Sequence, residues 1–174
     1  MGLFSRLFSI KSAPAAQAKA PGVKVVSHTV TGASYRQKEI LSMGRKNPDF
    51  ALAKRELLKR WPQGVMVYEY TFSPKKAELV PEPENPHDPK AIKVLVDGVH
   101  VGYIKAGSCA HIHKLLRENR IQKIEPKIFG GKYKELYSYD AAARKSEDFE
   151  FEKGSSPFGV RLEIAELPAP EKKA

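Results

Sequence analysis

The chain has 174 residues, enough for one core with appendages, and its 41% hydrophobic content is low for a compact domain, as expected where the ends carry no core. Thirty Lys and Arg against 20 Asp and Glu give a charge of +10, which favours a polyanionic partner such as nucleic acid or an acidic membrane over a small neutral substrate. The single cysteine excludes an intrachain disulfide and a cysteine-based zinc finger, and no apolar run approaches the ~18 residues of a membrane span, so a soluble intracellular protein without stable membrane insertion is the default.

Residues 1–22 read as a basic leader, because the first acidic residue of the chain is Glu39. Leu3, Phe4, Leu7 and Phe8 share one helical face, and an Ala/Pro linker follows. Arg6 and Lys11 interrupt what would be the apolar region of a secretory signal, and Ser5 misses the myristoylation spacing. A presequence for organelle targeting, an interfacial helix, a docking peptide and a frayed terminus all remain open. Residues 23–33 alternate as a strand with a slip near Val25 and Val26, and Gly32 lets the chain bend.

Residues 36–63 read as a helical insertion. Gln37–Met43 forms a short helix that stops at Gly44. A second helix is capped by Asn47 with Pro48 at its first position, and ends before Pro62 and Gly64. Phe50, Ala53, Leu57, Leu58 and Trp61 share its apolar face, while Lys54, Arg55, Lys59 and Arg60 fill the remainder. Eight Lys/Arg against three Asp/Glu between Arg36 and Arg60 make this segment about +5. It is either a solvated helix pair covering the sheet or a second phosphate-binding surface.

Val65–Phe72 and Ala77–Val80 suggest a hairpin turned at Ser73–Lys76. Glu82–Pro89 is a polar corner stiffened by prolines, which fix φ and extend the preceding residues. Ala91–Val96 then runs into Asp97-Gly98, a type I′ hairpin pair, and returns through Val99–Ile104. Residues 107–119 form a helix burying Cys109, Ile112, Leu115 and Leu116. Ile121–Phe129 and Tyr133–Tyr139 read as strands joined by a tight Gly130-Gly131 turn. An acidic stretch follows at 140–153, a closing strand at Phe158–Ile164, and a tail at 168–174. Residues 23–167 are thus one domain with no internal repeat, and many short strands with few helices suggest a small antiparallel barrel.

No constellation points to catalysis. Cys109 and His113 are one helical turn apart, but Cys109 sits on the apolar stripe. A metal set drawn from Cys109, His111, His113 and His87 or His100 fails because residues 109 and 111 face apart on a helix. Gly130-Gly131-Lys132 lacks phosphate-loop spacing, and Glu82 with Glu84 has no nucleophile beside it. No cofactor is expected, and the chain reads as non-enzymatic.

The run EPENPHDPKAIKV, followed by VGYIK and preceded by Gly32-Ala33-Ser34-Tyr35, resembles the HIRAN domain family across most of residues 24–167. The resemblance implies an OB-like β-barrel crossed by a helix, and recognition of single-stranded DNA at its 3′ end. It places Tyr35 where the family's strand aromatic stacks on the end base, and Asn85 and Asp88 in the turn, with Asp88 accepting from the 3′-hydroxyl. Tyr103 and Lys105 fall at phosphate-side positions. His87 stands where the family has Tyr, and Ser34 and Ala106 occupy positions that are often basic there. The bland readings are a core aromatic for Tyr35 and turn-stabilising side chains for Asn85 and Asp88. The expected function is a DNA-binding module for repair or replication that relies on a partner, such as a helicase, for any remodelling. The rivals are a protein adaptor docking through the leader and insertion, and a small metal-dependent nuclease or hydrolase.

Overall fold

The computed structural model describes residues 22–139 and 146–169. The expectations for the leader before residue 22, for 140–145 and for the tail from 170 lie outside the described residues. The elements are β1 (Lys24–Thr31), α1 (Gln37–Ser42), β2 (Arg45–Lys46), α2 (Lys54–Arg60), β3 (Val65–Tyr68) and β4 (Tyr70–Thr71). Then come β5 (Ala77–Pro81), β6 (Ile92–Val96), β7 (Val99–Ile104), α3 (Ala106–Arg117), β8 (Ile121–Tyr137) and β9 (Glu150–Glu166).

Seven strands form one sheet in the order β3-β8-β9-β1-β7-β6-β5, with every neighbouring pair antiparallel. β2 and β4 make a separate two-stranded ribbon. The hydrogen-bonded order ends at β3 and β5, so the β-rich antiparallel architecture is as expected, and no closed barrel is shown among the described residues.

Alternation builds the core. On β6, Ile92, Val94 and Val96 are fully buried and the residues between them only partly. Val160, Leu162 and Ile164 on β9 repeat the pattern, and Ile40 of α1 with Cys109, Ile112 and Leu115 of α3 completes the cluster. Each large side chain of this kind contributes roughly 1.5–3 kcal/mol relative to exposure. The Asp97-Gly98 hairpin forms as expected, with φ of 47° and 84°, and the Asp97 carboxylate accepts from the Lys75 and Lys76 amides.

Three local expectations are corrected. Residues 65–80 form no hairpin: β3 pairs with β8, β4 with β2, and β5 with β6. The Ser73–Lys76 segment instead folds onto the Asp97 turn, whose carboxylate satisfies its amides. Gly130-Gly131 is no hairpin turn either, since β8 runs through it, pairing Phe129 with Gly159 and Gly131 with Ser156. The two glycines, at φ 95° and 91°, make a bulge that bends the strand.

The second insertion helix is broken. Asn47 caps as expected, its Oδ1 accepting from the Asp49 amide at 3.1 Å, but only a 3-10 turn (Pro48–Ala51) follows. Leu52 is extended, and α2 starts afresh with the Glu56 carboxylate accepting from the Ala53 amide at 2.9 Å. Lys134 Nζ donates to the Phe50 and Leu52 carbonyls left over by the break. Leu57 is fully buried in a second cluster with Val67, Leu136 and Phe149, flanked by Phe50, Leu58 and Trp61, whereas Ala53 is exposed.

A Cβ on Gly130 would lie 2.3 Å from the Pro157 carbonyl oxygen. Gly130→Ala therefore destabilises the fold by roughly 2–4 kcal/mol through left-handed strain plus overpacking, read as a lower urea midpoint. A loss below about 0.5 kcal/mol, the level of an ordinary surface change, would contradict the bulge.

Candidate nucleic-acid interface

The proline corner is braced from within. The Glu82 amide donates to the Ala91 carbonyl and the Ala91 amide to Asp88, each at 2.9 Å, closing the loop at its base. Asn85 Oδ1 accepts from the amides of His87 (3.0 Å) and Asp88 (3.3 Å), while its Nδ2 donates to Glu82 Oε2 at 3.1 Å. The other Glu82 oxygen pairs with Lys93 of β6. Asp88 Oδ1 accepts from the Lys90 amide at 2.8 Å, and its Oδ2 has no donor among the described residues.

This corner forms one wall of a cleft of about 300 Å³, presenting Asn85, His87, Asp88 and Ala91. The facing wall is Thr31 at the end of β1, Tyr103 and Ile104 at the end of β7, and Ala106 opening α3. Antiparallel pairing sets Thr31 opposite Tyr103, and the Thr31 hydroxyl donates to the Tyr103 carbonyl at 3.1 Å. Four residues singled out from sequence thus meet in one cleft. Thr31 was missed, because only its register beside Tyr103 brings it there.

Tyr35 is 87% exposed on a 3-10 turn (Ala33–Tyr35), neither on a strand nor in the core. Lys105 is exposed as the residue capping α3, and its carbonyl accepts from the Ser108 amide. The four cations of the insertion do not line the cleft. Lys54 Nζ donates to the carbonyl of Phe149, a member of the second cluster, at 2.5 Å, Arg60 pairs with Asp49 at the surface, and Arg55, Lys59 and Arg60 are exposed.

The Lys93 ammonium holds the Glu82 carboxyl below its ordinary value of 4.5 against the opposing effect of burial. Because the folded value is the lower one, this bracing is complete above about pH 4.5 and is lost as pH falls through the depressed value. The His100 ring, 5.0 Å from that of Tyr103 and edge-on to it, is held below the usual histidine range by burial and then by the Arg36 charge. Burial first and the Asp88 charge second push the Cys109 thiol up, and Cys109 lies in the core with Sγ 3.6 Å from the Ile104 carbonyl. Among the described residues no three His, Cys, Asp or Glu are grouped to hold a metal, and no helix is long and apolar enough to cross a membrane.

Asn85→Ala removes three hydrogen bonds while leaving the prolines in place. It destabilises the protein by about 1–3 kcal/mol and speeds amide exchange at His87 and Asp88. Unchanged exchange at both amides would show that the prolines alone hold the corner.

Residues 63–135 match the family model of the HIRAN domain. Among solved structures, the crystal structure of the HIRAN domain of human HLTF covers 84% of this chain and 81% of its own, at 12% identity and a TM-score of 0.36. No curated protein matches. The matched stretch contains the corner, β6, β7 and α3, whereas Thr31, Tyr35 and the insertion up to Pro62 precede it.

Proposed function

We propose that this chain, which carries a HIRAN domain at residues 63–135, is a non-enzymatic module that binds single-stranded DNA and holds its 3′ end in the cleft under the proline corner. The observation that carries the reading is Asp88. Its Oδ1 is committed to the Lys90 amide, while Oδ2, in a cleft walled by Asn85, His87 and Tyr103, is left with acceptor capacity for a terminal hydroxyl. A rigid corner keeps that oxygen in place before the ligand arrives, which lowers the ordering cost of binding.

Tyr35 supplies the stacking face. Its ring, 87% exposed, is open to a base, and a base stacked on it contributes about 1–3 kcal/mol. Lys105, exposed between the cleft residues Ile104 and Ala106, takes backbone phosphate, and Arg55 and Lys59 add a weaker, sequence-independent attraction for strand that extends beyond it. His87 and Tyr103 shape the space around the terminal sugar. Any strand separation or remodelling in repair or replication comes from a partner that carries an ATPase.

A strand ending in 3′-phosphate brings a second negative group against Asp88, at a cost on the order of 1–3 kcal/mol, roughly tenfold to a hundredfold in affinity. In direct titrations a 3′-hydroxyl strand therefore binds more tightly than its 3′-phosphate counterpart, and Asp88→Asn shrinks the difference. Tyr35→Ala weakens both strands about equally. Equal binding of the two strands by the unmodified protein would reduce Asp88 to a turn residue and end the 3′-end reading.

A further inference from the structure

The long strand β8 is paired along one side and half bare on the other. β3 pairs with it only between Tyr133 and Leu136, and one further bond runs from the Glu69 amide to the Lys132 carbonyl at 2.8 Å. There the chain leaves this sheet, and Tyr70 and Thr71 pair with β2 instead. Among the described residues, β8 between 126 and 131 therefore has β9 on one side and no strand on the other. Such an edge offers main-chain groups to an added strand.

Two cavities of about 360 and 450 Å³ adjoin that bare edge and share Phe72, Ile128 and Phe129 in their walls. The first extends to Trp61 and Met66, the second to Pro74 and Arg161. Met66 is 41% exposed and Phe129 45%, so large apolar side chains stand open in both. No residue lines both this groove and the cleft under the proline corner.

The charges along the groove are unequally satisfied. Asp49 is paired with Arg60, and Lys127 Nζ is bound to Glu163 at 2.6 Å. The Arg161 guanidinium lies over the Phe129 ring, 5.6 Å from its centre, and no carboxylate among the described residues pairs with it. A guanidinium over an aromatic face still presents its fork of N–H donors to a carboxylate.

We propose that this groove docks an extended segment of a partner protein, laid as an added strand along β8. Its large apolar side chains sit beside Phe72 and Met66, and an Asp or Glu pairs with Arg161. A nucleic-acid strand is the poorer occupant, because Asp49 stands at one end and the walls between are largely apolar. The chain's own residues before 22 include no acid to offer Arg161. A second copy would bring a whole sheet, not a single strand, into a groove already walled by Asn47, Asp49 and Trp61. Because the two sites share no residue, a docked partner leaves the cleft free.

The test selects binders of the full chain from a phage-displayed library of random decapeptides, then titrates the selected sequences as labelled synthetic peptides. The selected peptides carry alternating apolar residues with Asp or Glu towards one end. Replacing that acid by its amide weakens binding roughly tenfold. Arg161→Glu loses a similar factor on the acidic peptide and no longer prefers it over the amide version. Met66→Lys weakens both peptides alike. Both substitutions change exposed side chains, so the urea midpoint stays within the range of ordinary surface variants. Bound peptide slows amide exchange between 127 and 131, and a short oligothymidine does not displace it. Failure to select any peptide, or peptides that bind both variants as tightly as the unmodified protein, overturns the proposal. Displacement by the oligothymidine would give the groove to nucleic acid instead. Affinity that rises when the residues before 22 are removed, or falls as protein concentration rises, would give it to the leader or to a second copy.

Discussion

The side-chain amide of Asn85 is the constraint on which the cleft depends. Its oxygen satisfies two amides that the prolines around it leave without strand partners, and its nitrogen steers Glu82, whose other oxygen is tied to Lys93 on the sheet. Residues 82–91 are therefore fastened to β6 through charge as well as through the Glu82–Ala91 backbone bond. Without this bracing the Asp88 carboxylate would sample many positions, and a single acceptor in a small cleft discriminates between chain ends only if it stays still.

The sheet supplies the facing wall by register rather than by motif. Val30 and Ile104 pair and are buried, so Thr31 and Tyr103, one residue on, must point to the other face and into reach of the corner. Gly102 permits that approach. At φ 141° a Cβ there would lie 2.3 Å from the Thr31 carbonyl, so β1 and β7 come together only because the position has no side chain. On the inner face α3 plugs the core with Ile112 and Leu115, leaving its first residue, Ala106, at the cleft rim.

What was legible in the sequence was local. The Asp97-Gly98 hairpin, the buried face of α3 and the corner itself are specified by neighbours a few residues apart, and each was read with boundaries good to a residue or two. What was not legible depends on partners far along the chain. Gly130-Gly131 looks like a turn until β9 lies beside it from residue 150 onward. The helix from Asn47 looks continuous until Glu56 recaps it and Lys134, more than eighty residues away, takes its carbonyls. Charge counting singles out Lys54 and Arg60, yet Lys54 is engaged with Phe149 and Arg60 with Asp49, and neither lines the cleft.

The account is most directly tested by whether a chain end is needed at all. A competition titration with single strands of one sequence, offered with a free 3′ end, with the 3′ end blocked and only the 5′ end free, and as a closed circle, separates end capture from general attraction to phosphate. Capture through Asp88 predicts that the free 3′ end competes at least tenfold better than the other two, with the preference surviving at a salt concentration that weakens all three. Equal competition by the circle would contradict it and leave only a basic surface that holds single strands anywhere along their length.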